Sequence, residues 1–78
     1  MKYVLKTASN SYYQELADEM DLEISDIKNV ISLLDKYSKE NAGYGVIDEE
    51  QIDLISDETY VRYSDVKELA LKLGFNVE

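Results

Sequence analysis

The sequence predicts one small α+β domain over residues 1–78, with elements in the order strand, helix, helix, strand, strand, helix. Two central segments repeat apolar residues at intervals of three, four and seven, the period of a helix with one buried face. Shorter segments rich in Val, Ile, Tyr and Thr alternate as half-buried strands do. A length of 78 residues allows one core, and with no Cys and no His neither a disulfide nor the commonest zinc ligand can brace it. Apolar packing has to hold the fold alone.

Lys2–Lys6, "KYVLK", has the β-branched and aromatic content of a short strand and ends in the polar "TASN". The first helix is expected at about residues 10–21: Ser11 and Gln14 have capping-box spacing, and Tyr12, Tyr13, Leu16, Ala17 and Met20 share a stripe. The second is expected from Ser25, as its cap, to about Lys39, burying Ile27, Val30, Ile31, Leu34 and Tyr37. Gly43 and Gly45 mark a loop. In "VIDEEQIDLI" Ile52 and Leu54 alternate as in a strand, although helix remains open for "DEEQIDLI". "SDE" then reads as a turn into "TYVRY", which together make a hairpin. Alternation sends Thr59, Val61 and Tyr63 inward and Tyr60 and Arg62 outward. Ser64 is expected to cap a last helix burying Val66, Leu69, Ala70 and Leu73, with Gly74 as its left-handed stop and Phe75 packing back.

A hairpin joined to two helices is how a winged helix-turn-helix is assembled, and a ferredoxin-like or other small α+β layer is the competing packing. Residues 16–30 resemble the winged helix-turn-helix superfamily. Ala17 stands where a small residue lets the helices approach, Leu22 where the turn buries an apolar side chain, and Ile27 and Val30 where the second helix packs inward. Asp21 occupies the place where that family usually has Gly, so the turn requires an aspartate in the left-handed conformation. The resemblance implies a DNA-binding regulator placing Lys28 and Arg62 at the groove. The charges oppose it: Glu15–Val30 holds six acids against Lys28 alone, so a duplex would meet repulsion where counterion release should supply affinity.

The whole chain carries 17 acids and 8 bases, a net charge of -9. Residues 41–61 contain six of those acids and no Lys or Arg. Such a balance repels nucleic acid and favours a basic partner. "DEE" at Asp48–Glu50 with Asp53 is too open a cluster to divide the pKa values of a catalytic carboxylate pair, so no enzyme activity is expected. "ENAGYGVIDEEQ" places Gly45 as a calcium-binding loop would but puts Ala42, Tyr44 and Gln51 at ligand positions, so neither a metal nor a cofactor is expected. No apolar run is long enough to span a membrane and no signal-peptide core is present, so a cytoplasmic location is expected.

These features lead to a non-enzymatic module that presents Asp48, Glu49, Glu50, Asp53, Asp57 and Glu58, with Tyr44 and Tyr60, to a basic surface on another protein. "TYVRYSDVKEL" resembles a strand-then-helix element of small bacteriophage-encoded proteins, and the acidic, Cys-free chain is similar to phage or mobile-element inhibitors that imitate the charge of DNA. That resemblance implies a host protein as partner. The alternatives are the DNA-binding regulator and a structural part of a larger assembly.

Overall fold

The computed structural model describes residues 10–41 and 45–78, so the expected strand at Lys2–Lys6 lies outside the described residues. Within them the order is α1 (Asn10–Met20), α2 (Ile24–Glu40), β1 (Val46–Ile47), α3 (Glu49–Thr59), α4 (Tyr63–Lys72) and β2 (Asn76–Val77). The described residues are mostly helical, and the sheet among them is a single parallel pair with Val46 opposite Asn76 and Ile47 opposite Val77. The α3–α4 pair forms the connection that parallel strands require.

α1 and α2 follow the periodicity of the sequence. Leu16, Ala17 and Met20 of α1 are buried, as are Ile27, Val30, Ile31 and Leu34 of α2, while Tyr12, Tyr13 and Tyr37 pack against that core at its margin. The turn between the helices is a Schellman motif: Leu22 N–H donates to the Ala17 carbonyl at 2.9 Å, Asp21 N–H to the Asp18 carbonyl at 3.4 Å, and Asp21 is left-handed with φ 55°. The aspartate does take the conformation that glycine usually supplies. α2 begins one residue before the expected cap, at Ile24, with Glu23 as N-cap, so Ser25 lies inside the first turn.

The expected hairpin is replaced by helices. Residues 49–59 form α3, and "SDE" is part of it rather than a turn. The cause is local: Asp48 and Gln51 form a capping box, with Gln51 Oε1 accepting from the Asp48 N–H at 3.1 Å, and Glu49 and Glu50 stand in the first turn, where the helix dipole favours anions. Ile52 and Ile55, three apart, are both buried, whereas Leu54, two from Ile52, falls on the far side and is 52 % exposed. Gln51 also exchanges side-chain hydrogen bonds with Asn41, tying the start of α3 to the end of α2.

"TYVRY" is likewise no strand. Thr59 ends α3, Tyr60 is left-handed with φ 60°, and Tyr63 begins α4 with Arg62, not Ser64, as its N-cap. The expected division of faces nevertheless holds at its centre, since Val61 is buried, Tyr63 packs against the core, and Tyr60 and Arg62 are exposed. Two hydroxyls steady this link: Ser56 Oγ donates to the Val61 carbonyl, and Thr59 Oγ1 accepts from the Val61 N–H at 3.4 Å.

α4 ends as expected. Gly74 (φ 94°) closes a second Schellman motif in which Phe75 N–H donates to the Ala70 carbonyl at 2.9 Å, and the Phe75 side chain is buried. β2 then lies beside β1, its Asn76 N–H donating to the Gly45 carbonyl at 2.8 Å. α2 packs against α1, α3, α4 and β1, and Leu34, with no exposed surface, lies in the shared core.

Candidate partner-binding face

Of the eight residues expected to meet a partner, Tyr44 lies outside the described residues. Asp48 belongs to the α3 cap, and Glu49 pairs with Lys67 of α4 at 3.4 Å. The pole without bases along the chain therefore gains one in space. The remaining acids stay together on α3: Glu50, Asp53 and Asp57, at intervals of three and four, share one stripe with the exposed Leu54. All three are exposed, as is Glu58 on the flank nearer α2. Among the described residues none of these four has an ion pair.

Beside that stripe is an open cleft of about 460 Å³ between α2 and the end of α3. Asp26, Asn29 and Leu33 line it from α2, and Glu58, Thr59 and Tyr60 from α3 and the link. Leu33 is half-buried and continuous with the core, whereas Tyr60 is 95 % exposed. The charged residues lining the cleft are carboxylates. The residues expected to meet a partner do not include Asp26, Asn29, Leu33 or Leu54. A signal exists for the first three, which follow one another at intervals of three and four beside the buried stripe of α2.

The end of α3 is arranged against its own helix. Asp57 and Glu58 stand in its last turns, with no base among them, where the dipole presents negative charge. α4 is arranged the other way: Lys72, in its last turn, meets Glu19 of α1 at 2.7 Å. Hydrogen bonding to the Glu19 carboxylate, outweighing desolvation, holds the Lys72 ammonium above its ordinary pKa. Among the described residues no helix is long and apolar enough to cross a membrane, and no group of three acids is placed to hold a metal ion.

No known family model matches the chain, and no curated protein or solved structure matches it. Its function has to be argued from its own surface.

Proposed function

We propose that this protein is a non-enzymatic binding module that docks α3 on a basic surface of another protein, in the manner of phage or mobile-element inhibitors that imitate the charge of DNA. The observation that carries this reading is the exposed set Glu50, Asp53, Asp57 and Glu58, none of them in an ion pair among the described residues. Like charges this close repel, and a surface with only a structural role would be served better by mixed signs. A partner supplying Lys or Arg would turn that repulsion into attraction and steer association.

The runner-up, a winged helix-turn-helix regulator, has the left-handed Asp21 turn between α1 and α2 in its favour. Against it, Glu23 and Asp26 stand at the start of α2, where a reading helix would meet phosphates, and residues 49–59, most of the segment expected to form the wing, are helical.

Labelled octa-arginine and a labelled mixed-sequence DNA duplex, titrated at low salt with the full chain, separate the two readings. Octa-arginine is expected to bind, losing affinity steeply as salt rises, and the duplex is expected not to bind below micromolar concentrations. Charge reversal at Asp53 and Glu58 should weaken octa-arginine far more than the same change at Glu15 and Asp18. Submicromolar duplex binding would promote the regulator, and loss only with the α1 pair would move the function to the first two helices.

A further inference from the structure

We infer that the cleft between α2 and the end of α3 is a docking site for an arginine side chain presented by a protein partner. This rests on the binding-module reading and names the place and chemistry of its anchor.

Three features converge there. The first is charge. Asp26 and Glu58 stand on opposite walls, and the charged side chains lining the cleft are both carboxylates. The α3 dipole ends at the same place with Asp57 and Glu58 beside it, so a cation would satisfy the helix end and both walls together. The second is shape and polarity. Leu33 offers the cleft an apolar surface continuous with the core, suited to a methylene stem, and Asn29 offers an amide oxygen as acceptor.

The third is Tyr60. It is almost wholly exposed, so the ring contributes little burial to the fold, and it occupies a left-handed backbone position that glycine would take without strain. Folding alone would favour glycine. A tyrosine ring at the mouth of an acidic cleft is a platform for a planar cation, and a guanidinium both stacks on such a ring and forks to carboxylates, whereas an ammonium does neither as well. That distinction selects arginine over lysine, and it selects a protein over nucleic acid, whose phosphates the two walls would repel.

The test is an NMR titration of the isotope-labelled full chain with a blocked leucyl-arginine dipeptide and its leucyl-lysine counterpart at low salt. Saturable shifts are expected at the amides of Asn29, Leu33, Glu58 and Tyr60, with arginine tighter by about two- to fivefold, the contribution of an exposed cation–π contact. Tyr60→Gly should weaken arginine by a similar factor while leaving the melting temperature unchanged or higher. Glu58→Gln, on an exposed side chain, should weaken both dipeptides. Equal binding of the two dipeptides with shifts spread over Glu50, Asp53 and Asp57 would overturn the cleft while leaving the acidic face as the docking surface. Wild-type arginine binding by both variants would also overturn it. If no dipeptide saturates, the cleft proposal falls, and octa-arginine binding then decides separately whether the acidic face survives.

Discussion

Asp21 and Tyr60 are the two non-glycine residues with positive φ among the described residues, at 55° and 60°, and they occupy that conformation on different terms. Aspartate is short and polar and visits the left-handed region more readily than most residues, and its turn is closed by Leu22 N–H on the Ala17 carbonyl. Its side chain is exposed, so it has little packing to lose. Asp21→Gly should therefore raise stability by about 1 kcal/mol, read as a higher urea midpoint with unchanged slope. A lower midpoint would mean that the carboxylate itself holds the turn. Tyr60 has no such excuse of size or polarity, which is why its exposure bears on function. Both positions also show how far single residues were legible. The left-handed Asp21 is what the resemblance to the helix-turn-helix pattern implies, whereas the β-branched and aromatic neighbours of Tyr60 predict an extended residue.

Among the elements, α1, α2 and α4 were legible because each carries a full apolar stripe whose period has one interpretation. α3 was not, because Ile52 and Leu54 alternate over a span too short to distinguish strand from helix, and what favours the helix is the capping box of Asp48 and Gln51 at its start. Gln51 has a second task in space, the paired amide contacts with Asn41. Gln51→Ala should thus cost more than an ordinary cap, about 1 to 2 kcal/mol by chemical denaturation, since part-buried Asn41 groups lose partners along with the Asp48 N–H. A change no larger than that of an exposed surface substitution would show that α3 is held by the burial of Ile52 and Ile55 alone.

For the molecule as a whole, net charge sets a background against which each acid acts. α4 ends with Lys72 on Glu19 and α3 ends with Asp57 and Glu58, so the favourable and unfavourable arrangements occur in one protein. Asp57→Lys reverses an exposed charge at the wrong end of a helix and relieves its neighbours, and should stabilise by about 0.5 kcal/mol. In a domain of this size that is a rise of about 2 to 4 °C in Tm by calorimetry, shrinking as salt is added. A fall in Tm would mean that the acids of α3 contribute to folding and that their retention requires no partner. The eight residues expected at the interface divide accordingly: composition made the acidic pole visible, but Asp48 turned to capping and Glu49 to Lys67 through contacts that composition does not contain.

By itself the sequence determined three of the four helices among the described residues, most of the buried positions, the left-handed stop at Gly74, and the acidity of residues 48–58. Each follows from local period, local sterics or composition, which depend only on near neighbours in the chain. The tertiary structure alone decided the pairing of Val46–Ile47 with Asn76–Val77, the salt bridges of Lys67 and Lys72, and the cleft that brings Asp26 and Leu33 to Glu58 and Tyr60. These join residues about thirty or more positions apart in most cases, as with Asp26 and Glu58, and a two-residue strand carries too little pattern to announce its partner. The packing of α2, α3 and α4 on one another, and of α1 on α2, brings them together, because burial of the shared apolar faces sets where the polar edges of those helices meet.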